Sequence, residues 1–532
     1  MQKKIDLKLT PAEAADPLAI KTAAALCTGW AEAEIVVVPL RKSIDARSRQ
    51  PYILLQVEVF CNETPENEPP VLANLCDVTN SASVIIIGAG PAGYFAALEL
   101  IAQGLKPIIL ERGKDVQTRR RDLKAIQQDG IVNPNSNYCF GEGGAGTYSD
   151  GKLYTRSIKR GDWWKSLKIL VEHGANPDIL VEAHPHIGSN KLPKIVAEMR
   201  LTIEKYGGEV HFNSLVTDFI IDKNQHFKGV VVNDKIEHLA QATILATGHS
   251  ARDIYYLCQT KKVRLEEKSY ALGVRIEHPQ ALIDTIQYRQ TPRDILLPAA
   301  SYKVVCQVPS QQLNVTKGVF SFCMCPGGLV VPAATAPGEL VVNGMSMSRR
   351  DSPFANSGTV TSIETEDIQA FAKHGIFAGL EFQKSVEQKI WQAGDGSQKA
   401  GAQRITDFIN RKVSQTLPDT SYIPGVWSAP MHQLLPKHIY DRLREGIVQF
   451  GKQMRGYYTE EAQLIGTESR TSSPVRIPRD ATTLMHPETV GLFPCGEGAG
   501  FAGGILSAAM DGQNVAAKVA EFMAARLNTR VL

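Results

Sequence analysis

Three glycines with the spacing G-x-G-x-x-G give the clearest indication of chemistry. Gly88, Gly90 and Gly93 lie between a short apolar strand and a helix that begins near Pro91. In such a motif Gly88 permits a tight turn, Gly90 lets the backbone approach a pyrophosphate, and Gly93 lets the helix pack closely on the sheet. The positive end of the helix then faces the phosphates. The pattern predicts a dinucleotide-binding unit.

An acid at the end of the next strand supports this prediction. Glu111 lies 18 residues after Gly93, where a carboxylate accepts both hydroxyls of an adenosine ribose and repels a 2'-phosphate. Because residues 84–102 are almost continuously apolar, a membrane span or a glycine turn in a buried helix is the alternative. Glu99 and the Gly-Pro interruption argue against the span.

Two further glycine-rich segments indicate close backbone approach. Residues 141–151 hold five glycines, and the nearby aromatic residues Tyr138, Phe140 and Tyr148 would anchor this loop. Too little chain follows the segment 490–512 to form a second nucleotide domain, so it must complete the first sheet. There Glu497 would accept hydroxyls of a flavin ribityl chain, and the helix near Gly504 would direct its positive end toward flavin N1 and O2.

The elements that position these segments predict an α/β fold. It combines a Rossmann-like FAD-binding domain with an inserted, mostly antiparallel α+β substrate domain and a small N-terminal α/β module. A three-stranded meander at residues 216–239 leads into the strand that ends at Gly248. The predicted divisions are the module 1–64, a linker 65–80, the FAD-binding domain 81–264, the substrate domain 265–422, and the C-terminal part of the FAD-binding domain 423–532.

With these pieces in place, the chain resembles FAD-dependent oxidoreductases of the glutathione-reductase-like fold. More narrowly, it is similar to a bacterial family of FAD-utilising dehydrogenases. The segments that carry this resemblance are 141–153, 271–280, 321–328, 467–476 and 495–512. The resemblance implies FAD and redox chemistry and leaves the substrate open.

The candidate cofactor-binding residues come from all the segments that meet at the predicted nucleotide site. They are Gly88, Ala89, Gly90, Pro91, Ala92, Gly93, Glu111, Arg112, Gly143, Gly144, Ala145, Gly146, Val216, Thr247, Gly248, Gly496, Glu497, Gly503, Gly504 and Ile505.

The candidate catalytic residues are Lys152, Cys325 and Arg470. Lys152 could place a cation near the flavin pyrimidine or could be a solvated lysine. Cys323 and Cys325 are two positions apart in a predicted strand, so both thiols would face one side, and buried structural cysteines are the favoured interpretation. Residues 111–140 hold only one cysteine, which argues against a dithiol mechanism.

Several other polar residues have a functional and a structural interpretation. Arg275 with His278, and Arg470 with Arg476, could anchor an anionic or carbonyl substrate, or could form salt bridges. His184 and His186 resemble a metal pair, but no third ligand supports a metal site.

The overall composition restricts the partners. Lys and Arg total 58 against 55 Asp and Glu, so nucleic acid is not expected as the main partner. The nine cysteines without a framework spacing, and the lack of a signal-like N-terminus, predict a cytoplasmic location and no membrane partner. The basic stretch 41–49 favours a solvated hairpin over a docking patch.

The predicted function is transfer of a hydride or electrons between non-covalently bound FAD and a small molecule. Because no second nucleotide-binding domain of this type is predicted, NADH or NADPH would act only as a transient electron donor. The alternatives are an FAD enzyme that modifies tRNA, with a basic stripe from Arg41 and Arg49 to the cleft, and a flavin-binding sensor with a sealed cleft.

Overall fold

The structure is a computed structural model that describes residues 1–66, 68–154, 161–310 and 315–530. The remaining short stretches fall within the predicted linker, dinucleotide domain, substrate domain and C-terminal segment. Those predictions are therefore compared with the structure only over the described residues.

The N-terminal module is an antiparallel sheet with strand order β1-β3-β2 and two helices. Asp16 caps the second helix, Pro17 is its first residue, and Gly29 ends it in the left-handed conformation. The elements are β1 (Gln2–Leu9), α1 (Pro11–Ala15), α2 (Pro17–Thr28), β2 (Ile35–Asp45) and β3 (Tyr52–Cys61), with 3-10 turns at Glu32–Glu34 and Val71–Asn74.

The basic stretch differs from the prediction in one respect. It was predicted to be a solvated hairpin, but β2 continues through a bulge to Asp45, so Arg41 and Lys42 lie within a strand rather than in the loop. The Lys42 N–H donates to the Val181 carbonyl at 2.8 Å, and its carbonyl accepts from the Ala183 N–H at 2.9 Å. Backbone pairing with the next domain therefore extends this strand.

A five-stranded parallel sheet with order β22-β10-β4-β5-β6 forms the core of the predicted dinucleotide unit. The short last strand, β22, pairs with β10, so the C-terminal segment completes this sheet as predicted. The elements up to residue 260 are β4 (Ser83–Ile87), α3 (Pro91–Ala102), β5 (Lys106–Leu110), α4 (Val116–Gln128), α5 (Trp163–Glu172), α6 (Leu192–Lys205), β6 (Glu209–His211), β7 (Val216–Ile221), β8 (Phe227–Val232), β9 (Ile236–Leu239), β10 (Thr243–Leu245) and α7 (Arg252–Thr260), with 3-10 turns at Gly144–Gly146 and Pro177–Leu180. The last elements are β21 (Val475–Arg476), β22 (Leu492–Pro494) and α13 (Ile505–Arg530).

Different elements cover the two faces of this sheet. Helices α3, α5, α6 and α13 bury one face, while the antiparallel meander β7-β8-β9 and helix α7 bury the other. No helix within the described ranges is both long enough and apolar enough to cross a bilayer.

A seven-stranded, mostly antiparallel sheet forms the second large unit. Its order is β13-β14-β17-β12-β20-β18-β19, and only β18 and β19 are parallel. Its elements are β11 (Glu266–Glu267), β12 (Tyr270–Pro279), α8 (Gln280–Tyr288), β13 (Val305–Ser310), β14 (Val315–Cys325), β15 (Gly328–Pro332), β16 (Val342–Ser346), β17 (Phe354–Ile363), the 3-10 region Thr365–Phe377, α9 (Ala378–Ala393), β18 (Ala400–Arg404), α10 (Ile405–Ile409), β19 (Val426–Ser428), α11 (Met431–Leu434), α12 (Lys437–Gln453) and β20 (Gln463–Glu468).

The antiparallel character agrees with the sequence, but the predicted boundary at residue 422 divides this sheet. Strands β19 and β20 follow that boundary and pair with β18, and β20 also pairs with β12. Strand β20 is an internal strand of the sheet and is buried along its whole length. The unit therefore extends to Glu468.

The contact between α3 and α13 supplies a test of the packing. A Cβ atom on Gly512 would lie 2.2 Å from the Ala92 carbonyl oxygen. Replacing glycine by alanine in an ordinary helix interior stabilises it by about 1 kcal/mol. For Gly512→Ala we expect a net loss of about 1–3 kcal/mol in the free energy of unfolding, because the two backbones must separate.

Urea-induced unfolding of the two proteins measures this difference. Gly318→Ala is the matched control, since its added Cβ would have no neighbour nearer than 3.9 Å. A Gly512→Ala protein as stable as the parent would contradict the close contact.

Candidate functional site

A cavity of about 300 Å³ lies where the carboxyl ends of β4, β5 and β10 meet the beginnings of α3 and α13. The carboxyl edge of a parallel α/β sheet is the usual ligand site of such folds. Strands β14 and β16 and the residues after β20 form its opposite wall. The cavity therefore lies between the two large sheets.

The three motif glycines have different surroundings. A Cβ on Gly88 would lie 2.5 Å from the Ala246 carbonyl oxygen, and one on Gly93 would lie 2.0 Å from the Gly88 carbonyl oxygen. A Cβ on Gly90 would have no atom within 4 Å and would project into open space. Gly88 and Gly93 thus permit chain packing, whereas Gly90 leaves room for a ligand.

Most of the predicted cofactor residues line the cavity. Ala89, Gly93 and Gly143 do not. Ala89 is buried, its N–H donates to Glu111, and its carbonyl accepts from the Gly143 N–H. These three residues therefore act in contacts between backbone segments. The lining positions are Gly88, Gly90, Pro91, Ala92, Glu111, Arg112, Gly144, Ala145, Gly146, Val216, Thr247, Gly248, Gly496, Glu497, Gly503, Gly504 and Ile505.

The Glu111 carboxylate has partners that the sequence did not reveal. One oxygen accepts from the Ala89 N–H at 2.9 Å, and the other accepts from the N–H groups of Gly113 and Gly141, each at 2.9 Å. A carboxylate has about four acceptor positions. Glu111 was expected to accept two ribose hydroxyls; with three positions filled by backbone, room remains for about one such bond.

The glycine loop packs against both helix beginnings. A Cβ on Gly144 would lie 3.2 Å from the Gly90 Cα, and one on Gly146 would lie 2.9 Å from Ile505 Cγ1. The glycines of this loop were expected to permit a close backbone approach, and part of that close approach is to the beginnings of α3 and α13. The loop, α3 and α13 meet at the same end of the cavity.

Sequence reasoning did not assign a role to Arg119, which holds this loop. Its buried guanidinium donates to the carbonyl groups of Asn137, Tyr138, Glu142 and Gly144 at 2.8–3.0 Å. Burial lowers the pKa of this guanidinium. The available signal was an arginine one turn into the helix that precedes the glycine loop.

At the C-terminal segment, the Glu497 carboxylate accepts from the Gly504 N–H just before α13 begins. Its other oxygen lies 3.7 Å from His249 Nε2. Burial, the largest effect, lowers the pKa of His249, although Glu497 opposes the shift. In this structure Glu497 therefore occupies part of the helix end that was expected to face the flavin.

A bulge changes the predicted geometry of the two cysteines in β14. The register shifts between Phe322 and Cys325, and Cys323 has a φ of 44°. The Cys325 thiol is buried and donates to the Cys323 carbonyl oxygen at 3.2 Å, whereas Cys323 is exposed. Cys323 and Cys325 therefore differ in exposure, and the prediction of a regular strand was wrong. The interpretation as a buried cysteine holds for Cys325 and is wrong for Cys323. Burial raises the pKa of the Cys325 thiol, which disfavours the thiolate.

The arginines proposed as substrate anchors have carboxylate partners. Arg470 lines the cavity but contacts Glu339 at 2.6 Å and Glu387 at 3.0 Å. Arg275 is buried and lies 3.2 Å from Glu468, and Arg476 lies 3.6 Å from Glu266. These contacts favour the salt-bridge interpretation.

His278 is buried, and its Nε2 lies 2.8 Å from the Tyr457 carbonyl oxygen. Burial lowers the pKa of His278 to about 4. His184 packs against Tyr154 with ring centroids 4.7 Å apart, and no three potential metal ligands cluster anywhere in the described part of the chain.

Comparison with known proteins adds family information. Residues 269–471 match a family model described as an FAD-dependent protein, C-terminal domain-like, and residues 81–125 match an FAD-binding domain. Residues 1–60 match a domain of unknown function. An uncharacterised protein of Clostridium beijerinckii is 40% identical over 503 residues, which cover 91% of this chain and 92% of the relative.

Solved structures also show similarity. CtdE in complex with FAD and a substrate is 12% identical, covers 83% of this chain and 80% of its own, and has a TM-score of 0.33. The flavin-dependent brominase Bmp2 is 13% identical over 84% and 80% of the two chains, with a TM-score of 0.37. A geranylgeranyl bacteriochlorophyll reductase-like protein of Thermoplasma acidophilum is 13% identical over 84% and 80%, with a TM-score of 0.34.

The open space at Gly90 gives a test of FAD binding. In Gly90→Val the branched side chain would fill the space beside the first turn of α3 without meeting protein atoms at its Cβ. We expect the purified variant to lose FAD, measured by its flavin absorbance, because the side chain excludes the pyrophosphate. Thermal unfolding of the cofactor-free proteins is the control and should be unchanged; full FAD retention would contradict this placement.

The buried His278 gives a test of pH dependence. Since its folded pKa lies below the unfolded value, the unfolded state binds more protons between about pH 4 and pH 6.5. Its contribution to stability is therefore complete above pH 6.5 and is lost as the pH falls. As the pH falls over this range, the free energy of unfolding of the parent should decrease by up to about 3 kcal/mol more than that of His278→Gln.

Urea unfolding of the parent and of His278→Gln at a series of pH values gives the free energy of unfolding of each protein against pH. Parallel pH dependences would show that His278 is not held neutral in the folded protein.

Proposed function

We propose that this chain, which belongs to the same family of FAD-dependent proteins as its Clostridium beijerinckii relative, is an oxidoreductase that exchanges a hydride or electrons between non-covalently bound FAD and a small molecule. One observation supports this most directly. A single cavity has the dinucleotide unit as one wall and the antiparallel sheet as the other. Such a cavity can bring a cofactor and a substrate into contact.

The residues of the first wall would hold the cofactor. Gly90 and the first turn of α3 leave room for the pyrophosphate at a helix N-terminus. Glu111 has about one acceptor position left for the adenosine ribose. When bound, FAD supplies the redox chemistry, while the protein provides binding and orientation.

The second wall would orient the substrate and limit water. Phe322, Cys323, Asn343 and Gly344 form its apolar and amide surface. The buried pairs that Arg470 makes with Glu339 and Glu387 join this wall to the rest of the unit. Partial shielding of the site from water would strengthen the electrostatic contacts that position the substrate.

The two alternative functions receive less support. An open cavity argues against a sealed sensor. For the tRNA alternative, the basic stretch should form a free stripe, yet Arg47 pairs with Asp45 at 2.8 Å and Lys42 lies 3.5 Å from Glu182. These pairs reduce the positive charge available for a nucleic acid.

The electron donor is a testable part of the proposal. The sequence contains no second glycine motif of this type followed by a complete nucleotide unit, so NADH or NADPH would dock without its own phosphate site. We expect slow flavin reduction with weak saturation, in the range of roughly micromolar to millimolar KM values, and no nicotinamide retained through purification.

Anaerobic mixing of the FAD-loaded protein with each nucleotide, followed by flavin absorbance, measures the reaction. Reduction by dithionite confirms that the bound flavin can accept electrons. Bleaching by dithionite with no reduction by any donor, substrate or nicotinamide tested would contradict the oxidoreductase proposal. Stoichiometric nicotinamide after gel filtration would contradict the transient docking.

A further inference from the structure

Lys152 differs from the other cations of the cavity wall. Arg112 contacts Asp253 at 2.8 Å, and Arg470 contacts two carboxylates. Lys152 also lines the cavity, with 36% of its side chain exposed. Its nearest carboxylate is Asp150, at 3.7 Å.

That carboxylate is already committed to other groups. Asp150 is buried, and one of its oxygens accepts from the Ser346 hydroxyl. The other accepts from Arg350 Nη2 at 2.6 Å. Two cations, Lys152 and Arg350, therefore share one carboxylate, and this end of the cavity has a local excess of one positive charge.

The ammonium group also has unused donors. It has three N–H bonds and donates one hydrogen bond, to the Met324 carbonyl oxygen. Two of its donors have no protein acceptor within the described ranges. The backbone fixes its position, because the Leu153 N–H donates to the Pro185 carbonyl at 2.9 Å and the Ile187 N–H donates to the Gly151 carbonyl at 3.1 Å.

We propose that the Lys152 end of the cavity binds the carboxylate of a small anionic substrate. This inference rests on the proposed function, since it assigns a substrate class to the same cavity. A monoanionic carboxylate balances the local excess of one charge and can accept both free donors. A phosphate dianion would leave one negative charge unpaired in a partly buried site.

The surrounding wall suits an organic carboxylate. Phe322 and Cys323 line the cavity and give it an apolar surface. Asn343 lines it as well, and its amide oxygen accepts from the Gly344 N–H at 2.7 Å. The Asn343 NH₂ group has no acceptor in the part of the protein that the structure describes, so it is a further donor available to a substrate.

The test compares benzoate with its uncharged analogue benzamide on FAD-loaded protein by isothermal titration calorimetry. We expect benzoate to bind at least about ten-fold more tightly than benzamide, with the preference reduced by added salt. Lys152→Gln should weaken benzoate binding by about ten-fold and leave benzamide unaffected, whereas Lys152→Arg should restore most of the affinity. Lys194→Gln, which removes an exposed lysine of α6, should behave like the parent.

A second measurement needs no variant. Benzoate should protect Lys152 from acetylation by acetic anhydride, read by peptide mass spectrometry, more than benzamide does. This keeps the proposal testable if Lys152→Gln does not fold or retain FAD.

Equal binding of the two probes, unchanged benzoate affinity in Lys152→Gln, or equal protection would overturn the proposal. A shifted flavin midpoint potential in Lys152→Gln with unchanged benzoate affinity would also overturn it, by placing Lys152 against the flavin. If substrates reduce the flavin equally well whether or not they carry a negative charge, only this inference is contradicted. If benzoate binding to the FAD-loaded protein depends on Lys152 but no donor reduces the flavin, only the proposed redox reaction is contradicted.

Discussion

The Glu111 carboxylate connects the three backbone segments on which the cavity depends. It accepts hydrogen bonds from the turn after β4, from the exit of β5 and from the beginning of the glycine loop. Because the carboxylate is buried, these bonds replace the water that it loses on folding. Glu111, which the sequence motif predicts to bind a ribose, therefore also fixes the positions of the loops that would surround the ligand.

Arg119 and Glu142 extend the same principle to the rest of the loop. Arg119 donates to four carbonyl groups between Asn137 and Gly144. The buried Glu142 accepts from the Tyr94 hydroxyl, the Val116 N–H and Arg200. Since a glycine-rich loop has few side chains for packing, Arg119 of α4, Arg200 of α6 and the loop's own buried Glu142 hold its shape.

The balance of charges separates structural from available groups around the cavity. Arg252 and Arg470 share Glu339 and Glu387, so two cations meet two carboxylates. Around Asp150, two cations meet one carboxylate. This difference, rather than the presence of a cation, distinguishes a group that can contact a ligand from one that holds the fold together.

The sequence alone determined the dinucleotide unit, the tight backbone packing at Gly88 and Gly93, the completion of the parallel sheet by the C-terminal segment, and the antiparallel character of the second unit. These features depend on local backbone geometry and on residue periodicity, which a single sequence contains. Only the tertiary structure decided the partners of Glu111, the role of Arg119, the bulge at Cys323, and the choice between Lys152 and Arg470 as an available cation. Those outcomes depend on which distant segments meet, because a buried charge takes its function from the partners that folding places beside it.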